Sequence, residues 1–400
     1  MKFDFTTIYD RRGKDAMAVD AVEKIPVFQP NEGFDAIPMW VADMNFATAP
    51  AVTEAIRKRL EHPLFGYFMT SDEYFDSIIR WQQRRNGVTG LEKEHIGYEN
   101  GVLGGLMSAL AAVCARGDNV LVHSPTYIGF TRSIENGGYH VITSPLKPDR
   151  YGVQRMDFFD METKIKRNDI RAVVFCSPHN PTGRVWEQEE LEHFMDMVRR
   201  LNVTVISDEI WSDLTLRGHQ HIPLQSVSDD ARQRTVALYA PSKTFNLAGL
   251  IGSYHIVYNE ALHKRMKKES SLSHYNSMNV LSMHALIGAY SDEGSQWVDE
   301  LREVLTENVK YACKFIRKNL PGVSVQQPEG TYMLFLDCAA WLQEHHMTLR
   351  ELEERGARAG VIWQDGAAFA WPDSIRMNLA LPLTRVQEAF DRMDRYVFNA

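Results

Sequence analysis

The sequence has 400 residues, 44% of them hydrophobic and 24% charged, a composition typical of folded globular proteins. A formal net charge of −8 at pH 7 gives no reason to expect nucleic acid or an anionic membrane surface as a partner, so small metabolites fit better. The first residues, MKFDFT, lack the apolar run of a signal peptide, and no stretch is long enough to span a bilayer, which predicts a cytoplasmic protein.

Cysteine and histidine spacing predicts neither disulfides nor a metal site. The four cysteines (Cys114, Cys176, Cys313, Cys338) lie far apart in apolar or helical stretches, as expected of free thiols in a reducing compartment. HExxH and paired-cysteine motifs are absent, and the adjacent histidines at 345 and 346 cannot face the same way on a helix.

The first hundred residues combine an irregular arm with two helices. Residues 1–47 lack a clear period, yet the segment PMWVADMNF (38–46) is too apolar for a solvent loop and is expected to pack over the subunit or a partner. Helices are predicted from about 50 to 60 and from about 72 to 85, separated by the aromatic turn FGY (65–67).

The glycine-rich segment NGVLGGL (100–106) leads into a helix predicted over 107–115. Glycines at a loop-to-helix junction let backbone N–H groups approach an anion at the positive end of the helix dipole. Close helix packing explains the same glycines equally well, and both interpretations stay open at this stage.

Strands and helices alternate between residues 119 and 257. Strands are predicted over 119–123, 139–143, 171–176, 203–207, 235–239 and 253–257. Near-continuous apolar strands separated by helices indicate a mostly parallel sheet covered on both faces, whose ligand site lies at the carboxyl ends of the strands. Asn180, Asp208 and Lys243 all follow such strand ends, so they are expected at one edge of the sheet.

Lys243 follows the buried strand TVALY (235–239) in the segment SKTFNLAGL (242–250). Lysines prefer solvent, so a surface loop is one interpretation of this position. The other is a nucleophile, because partial burial lowers the pKa of the lysine and leaves a neutral amine that can form a Schiff base.

The last third changes character. Long helices predicted over 278–290 and 296–319 precede strands near 323–325, 332–337 and 376–379, with further helices over 349–359 and 385–397. We therefore expect three units: an arm (1–47) that packs with the small domain, a large ligand-binding domain (48–285) and a small α+β domain (286–400).

At this point the motifs resemble a known family. The order NPTG (180–183), DE (208–209), SK (242–243) and RMN (376–378) resembles the fold type I pyridoxal-phosphate (PLP) enzymes, the aspartate aminotransferase superfamily. The closer resemblance, from end to end, is to the MalY/PatB-type cystathionine β-lyases, or C–S lyases. Its motifs are DRRG (10–13), VADMNF (41–46), FGY (65–67), HNPTGRVW (179–186), SDEI (207–210), SKTFN (242–246) and EGTY (329–332).

The resemblance implies an α/β fold type I enzyme with a mostly parallel seven-stranded sheet, a PLP cofactor and a homodimer that shares its active sites. Catalytic roles would fall to Lys243 as Schiff-base lysine and Cα base, Asp208 beside the pyridine nitrogen, and Tyr127 on the ring face. Cofactor contacts would come from Lys243, Asn180, Asp208, Tyr127, Gly101, Val102, Leu103, Ser242 and, from the partner subunit, the residue at position 67, Tyr67. Substrate contacts would come from Arg376, Asn180 and Ala42.

Ordinary structural roles stay open for four of these residues. Asp208 could cap a helix, Asn180 could serve a turn, Tyr127 could belong to the core and Arg376 could form a surface salt bridge.

The implied reaction is β-elimination of cystathionine or another cysteine S-conjugate to a thiol, pyruvate and ammonia. Ile251 agrees with it, since many aminotransferases of the superfamily carry an arginine eight residues after the Schiff-base lysine. An aminotransferase on the same scaffold, or a PLP-binding protein with a regulatory role, are the alternatives.

Four positions depart from the family pattern. Ala240 stands where a phosphate-binding hydroxyl is common, and Trp211 stands where Tyr or His is usual. Val19 and Asn45 replace a Trp and an Asp in the arm, which can border the active-site entrance, so they bear on substrate identity.

Overall fold

The computed structural model describes residues 1–272 and 276–399. In that part of the chain the helices are α1 (Met17–Asp20), α2 (Pro50–Leu60), α3 (Asp72–Asn86), α4 (Val102–Val113), α5 (Ile128–Asn136), α6 (Phe158–Arg167), α7 (Gln188–Arg200), α8 (Asp229–Arg234), α9 (Glu260–Ser271), α10 (Val280–Ala289), α11 (Asp292–Asn319), α12 (Ala339–Glu344), α13 (Leu349–Arg358) and α14 (Leu383–Met393). The strands are β1 (Ile37–Pro38), β2 (Ile96–Glu99), β3 (Asn119–Ser124), β4 (His140–Pro145), β5 (Lys147–Pro148), β6 (Gln154–Arg155), β7 (Ala172–Cys176), β8 (Thr204–Asp208), β9 (Thr235–Tyr239), β10 (Ser253–Ile256), β11 (Ser324–Val325), β12 (Met333–Asp337), β13 (Val361–Ile362), β14 (Gln364–Asp365) and β15 (Ser374–Asn378).

A seven-stranded sheet with the order β2-β10-β9-β8-β7-β3-β4 forms the centre of the fold. Neighbouring strands from β9 to β4 are parallel, and β10 is antiparallel to both β9 and β2. Every residue of β7, β9 and β10 is buried, which explains their unbroken apolar character. The predicted mostly parallel, seven-stranded sheet is confirmed.

Helices cover both faces of this sheet. One face packs against α4, α5 and α9 through Leu106, Ile134 and Met266. The opposite face packs against α6, α7 and α8 through residues such as Met161 and Phe194. The burial of these side chains between sheet and helices supplies most of the hydrophobic stabilisation of this half of the chain.

The carboxyl ends of the strands meet at one edge. Strands β7, β8 and β9 run in the same direction, and β2 shares it because two antiparallel pairings separate β2 from β9. Asp208 is the last residue of β8, and the segments that follow β7, β9 and β2 carry Asn180, Lys243 and Gly101, so the fold brings all four to the same edge.

Helix α4 begins at Val102, five residues before the predicted start, so Gly104 and Gly105 lie inside it. A Cβ at Gly105 would lie 2.8 Å from Leu238 Cδ2. Close packing of this helix on β9 therefore explains Gly105, one of the two interpretations that the sequence left open. Helix α11 likewise begins earlier than predicted, because the hydroxyl of Ser291 accepts a hydrogen bond from the Gly294 N–H at 3.1 Å.

The last third builds a separate antiparallel sheet with the order β11-β12-β15-β14. The arm lies against this part, since β1 pairs in parallel with β13 and Asp35 forms ion pairs with Arg385 and Arg392 at 2.7 and 2.5 Å. The boundaries at 47 and 285 stay a prediction. The four cysteines are free thiols, as predicted, and within the described ranges no helix is long and apolar enough to cross a membrane.

Gly183 gives a stability prediction for the loop that carries Asn180. Its φ is +70°, and an added Cβ would overlap Pro328 and lie 2.8 Å from the Gly330 carbonyl oxygen. We expect Gly183→Ala to lower the free energy of unfolding by about 3 kcal/mol, the sum of backbone strain and overlap. Gly218→Ala, also at positive φ but with nothing within 4 Å, should cost only about 1 kcal/mol. Urea unfolding of the two variants measures this, and equal losses would contradict the overlap.

Candidate active site

Lys243 lies inside the protein, which contradicts the surface-loop interpretation. Its Nζ donates a hydrogen bond to the Ala42 carbonyl at 2.9 Å, and the hydroxyl of Tyr332 donates to the same oxygen at 3.0 Å. Burial lowers the pKa of Lys243 to about 8, with a smaller contribution in the same direction from Arg376. A substantial fraction of the amine is therefore neutral near pH 8.

Asp208 ends β8 and is only 5% exposed. Its Oδ1 accepts one hydrogen bond, from the Ile210 N–H at 3.0 Å. Burial raises the pKa of Asp208 to about 7, against the opposing effects of this hydrogen bond and of Lys243. The carboxylate is thus held in a place that favours a cationic partner.

Arg376 lies on β15 and reaches the same edge from the other sheet. Its Nη1 donates to Asn180 Oδ1 at 3.2 Å, and its Nη2 donates to Gln364 Oε1 at 2.6 Å and to the Trp40 carbonyl at 3.2 Å. The guanidinium also lies 4.6 Å from the centre of the Phe369 ring. Arg376 is buried rather than part of a surface salt bridge.

The electrostatics of Arg376 indicate a site that lacks its anion. Burial lowers the pKa of the guanidinium to about 10, and its Nε is a buried donor without a hydrogen-bond partner within the described part of the chain. Buried charges are normally paired, so this arrangement favours a carboxylate ligand.

Tyr127 directly precedes α5 and contacts Phe130 edge-on, with ring centres 5.4 Å apart. Burial raises the pKa of its phenol, an effect that Arg376 opposes and Asp208 reinforces. These electrostatic effects indicate that Tyr127 lies within reach of both charges.

The start of α4 offers backbone donors. Val102 and Leu103 open the helix, which has no side-chain cap and no acidic residue in its first turn. Their N–H groups have no acceptor within the helix and lie at its positive end. Gly101 differs from the expectation, because its N–H donates to the Glu99 carbonyl at 2.9 Å. Its φ of +77° instead makes it a turn residue that aims the helix.

The four unusual positions fall into two groups. Trp211 and Ala240 are buried near the lysine, with the Trp211 ring centre 5.7 Å from Lys243 Nζ. Val19 and Asn45 line a cleft of about 530 Å³ between the arm and the start of α14. Ser242 precedes the lysine and is partly buried.

Tyr67 differs from the other predicted site residues in its full exposure in the single chain. Its side chain is fully exposed, within a hydrophobic patch that we call the 64–69 patch: Leu64, Phe65, Tyr67, Phe68 and Met69.

Sequence reasoning assigned no role to Tyr332, Gln364 or Asn246. The Asn246 side chain accepts from the Met44 N–H and donates to the Met44 carbonyl, both at 3.0 Å, so it fixes the arm over the lysine loop. Tyr332 and Asn246 lie within two of the family motifs, EGTY (329–332) and SKTFN (242–246), so the resemblance could have pointed to them. Gln364 carried none.

Comparison with known proteins gives consistent matches. Residues 36–393 match the aminotransferase class I and II family. The chain is 36% identical over 364 residues to cystathionine beta-lyase PatB of Bacillus subtilis, covering 90% of this chain and 92% of that protein. It is 32% identical over 398 residues to protein MalY of Escherichia coli, covering 96% of each.

A solved structure agrees with these matches. The PLP-bound C–S lyase from Staphylococcus hominis superimposes with a TM-score of 0.88 at 31% identity, covering 98% of both chains.

Proposed function

The chain belongs to the aminotransferase class I and II family, as a relative of PatB and MalY, and on this premise we propose that it is a PLP-dependent carbon–sulfur β-lyase. Fold type I and the resemblance are confirmed by these matches. One observation carries the proposal: a largely buried lysine of lowered pKa, hydrogen-bonded to the Ala42 carbonyl, lies at the same edge of the sheet as a buried carboxylate and within electrostatic reach of that carboxylate and of a buried guanidinium. The relatives named as cystathionine β-lyases indicate which reaction of the family to expect.

The residues present fit PLP. Asp208 has room for one more hydrogen bond and favours a cation, which suits a protonated pyridine nitrogen. The N–H groups of Val102 and Leu103 suit the phosphate, assisted by the hydroxyl of Ser242 and the turn at Gly101. Lys243 suits the aldehyde carbon, Asn180 the ring hydroxyl and Tyr127 the ring face. When bound, PLP supplies an electron sink for the electrons left when Cα loses its proton.

Lys243 is proposed to move that proton. Its lowered pKa leaves enough neutral amine near pH 8 to accept a proton from Cα. The hydrogen bond to the Ala42 carbonyl orients the Nζ lone pair, and Tyr332 holds that carbonyl in place. Electrons from the Cα–H bond then form the Cα–Cβ double bond as the Cβ–S bond breaks. The thiolate takes a proton, and water completes the conversion of the remaining fragment to pyruvate and ammonia.

Arg376 is proposed to bind the substrate α-carboxylate with its planar fork. Asn180 and Gln364 fix the guanidinium, which is buried and lacks an anion. The substrate carboxylate supplies the missing charge, and this pairing orients Cα toward Lys243. Ala42 lies beside Lys243, because its carbonyl accepts a hydrogen bond from Lys243 Nζ.

Replacing this fork tests the carboxylate assignment. We expect Arg376→Lys to raise KM for L-cystathionine about tenfold or more, because a single ammonium replaces a two-point contact. The matched Arg350→Lys change, at a side chain that is 83% exposed, should leave KM unchanged. Steady-state kinetics measure both, and an unchanged KM in Arg376→Lys would refute the assignment.

Transamination is the second candidate, because the family model that matches residues 36–393 is that of aminotransferases. The two reactions differ in product. Holoenzyme given L-cystathionine without any 2-oxo acid should release thiol, pyruvate and ammonia in equal amounts. Formation of amino-acid product only when a 2-oxo acid is added, without thiol release, would identify an aminotransferase instead.

We also propose a homodimer with active sites completed across the interface. The 64–69 patch supports it, since a fully exposed Tyr67 among exposed Leu, Phe and Met side chains is typical of a surface that a partner covers. In a dimer Tyr67 would reach the partner's cofactor. Sedimentation of the holoenzyme should give twice the 45.8 kDa chain mass, and a monomer at micromolar concentration would refute the proposal.

A further inference from the structure

A second cleft opens beside the carboxyl end of α3. It has a volume of about 550 Å³ and lies between α3, the loop over 212–221 and the first half of α11. Its wall carries Arg84, Arg85, Arg302 and His221, together with the carboxylates of Asp213 and Asp299. None of these residues belongs to the proposed PLP site.

Arg302 is the unusual member of this wall. Its Nε and Nη2 donate to the carbonyl and hydroxyl oxygens of Thr215 at 2.6 and 2.8 Å. No carboxylate lies within 4.0 Å of its guanidinium among the residues that the structure describes. Partial burial and the nearby charge of Arg85 lower its pKa, an effect that the carboxylates of Asp299, Asp213 and Glu303, all beyond 4.0 Å, oppose only in part.

Arg85 adds a second guanidinium to the wall, and its ion-pair partner Asp299 is largely exposed. Its Nη1 contacts Asp299 at 2.5 Å, a side chain that is 59% exposed, whereas its Nε lies 3.9 Å from Asp213. The Arg85 side chain is only 10% exposed, whereas Asp299 is largely exposed, so a ligand anion would compete with Asp299 for this guanidinium from the solvent side. Arg84 pairs with Asp292 at the rim.

His221 completes the wall with an unsatisfied group. Its Nε2 lies 2.7 Å from Oε2 of the buried Glu209, while its Nδ1 is buried and has no hydrogen-bond partner in the described ranges. The His221 ring lines the cleft and is held in place by Glu209. The lining of the cleft contains three arginines and two aspartates, so its formal net charge is positive even if His219 and His221 are both neutral.

We propose that this cleft binds a small oxyanion, the phosphate or carboxylate group of a metabolite, with Arg302 and Arg85 as its donors. Guanidinium forks match both groups in geometry, and the volume exceeds that of a single ion, so the ligand has room for an attached organic part. The inference does not depend on the proposed reaction.

The test titrates holoenzyme in chloride buffer with inorganic phosphate and, separately, with acetate, by calorimetry. Bound PLP keeps the titrant out of the cofactor's phosphate site, and binding that Arg302→Gln does not weaken is assigned to Arg376 rather than to the cleft. We expect saturable binding of at least one of the two probes, and the tighter one identifies the group. Arg302→Gln should weaken it at least tenfold. Asp299→Asn should tighten it roughly threefold to tenfold, because it removes a negative charge and releases Arg85.

The control is Arg350→Gln, at an exposed arginine of α13 that pairs with Glu354 outside the cleft, and it should leave the affinity unchanged. Circular dichroism checks the fold of each variant, and Asp299→Asn decides alone if Arg302→Gln does not fold. Absence of saturable binding, equal affinity in all four proteins, or weaker binding in Asp299→Asn would overturn the inference.

Discussion

The Lys243→Ala variant is expected to release pyruvate from L-cystathionine about 10³-fold more slowly than the unaltered protein, or not at all. The substitution removes both the amine that would hold the cofactor and the base that would take the Cα proton. The neighbouring groups do not replace it, since Arg376 stays protonated and Asp208 would be occupied by the cofactor. A coupled pyruvate assay at saturating substrate measures the loss.

The matched control is Lys264→Ala, at an exposed lysine of α9 that pairs with Glu260 within its own helix. It should retain full activity. A Lys243→Ala protein with more than a tenth of the original rate would show that another group performs the proton transfer.

Asp208→Asn is expected to lower activity at least a hundredfold and, in the cofactor-free form, to stabilise the fold. The asparagine is similar in shape but carries no charge, so it cannot keep a pyridine nitrogen protonated. It also removes a carboxylate that is buried with a single hydrogen bond. Asp208 is therefore expected to support activity while it destabilises the cofactor-free fold.

The stability gain depends on pH in a defined direction. The pKa of Asp208 is raised from 3.8 to about 7 in the folded protein, so the folded state binds this proton more tightly than the unfolded state does. The cost of ionising Asp208 is absent below about pH 4, grows between pH 4 and 7, and is complete above pH 7. The gain on Asp208→Asn should follow the same curve and reach on the order of 4 kcal/mol above pH 7.

Urea unfolding of the cofactor-free proteins at pH 4.5 and pH 8 tests this curve. Asp76→Asn, at an exposed aspartate of α3, serves as the control and should change stability little at either pH. A gain of equal size at both pH values would contradict burial of an ionised Asp208.

The edge that carries the site was predictable because β7, β8 and β9 are buried along almost their whole length. Unbroken apolar runs before Asn180, Asp208 and Lys243 fixed the end of each strand, and parallel pairing places all such ends together. The family motifs then indicated the chemistry expected of each position.

Contacts across the two sheets could not be predicted in this way. Gln364 binds Arg376 only because β14 and β15 pair, and the Ala42 carbonyl meets Lys243 across about 200 positions of sequence. Neither contact has a local pattern. The same holds for Gly101, whose N–H is taken by the Glu99 carbonyl through a turn that its glycine conformation permits.

The cleft beside Val19 and Asn45 is another feature that no local pattern predicted. Both residues depart from the family pattern, and the structure brings them to one wall although they lie in different parts of the arm. The physical reason is the return of the arm over α14, which no periodicity in residues 1–47 revealed.

The most direct test of the account is to reduce the holoenzyme with borohydride and map the modified peptide by mass spectrometry. Reduction converts a lysine–PLP linkage into a stable secondary amine, so the mass of the cofactor marks its lysine. We predict one pyridoxyl-phosphate group per chain, on Lys243. A label on another lysine, or no label in a protein that still cleaves L-cystathionine, would contradict the assignment of this site.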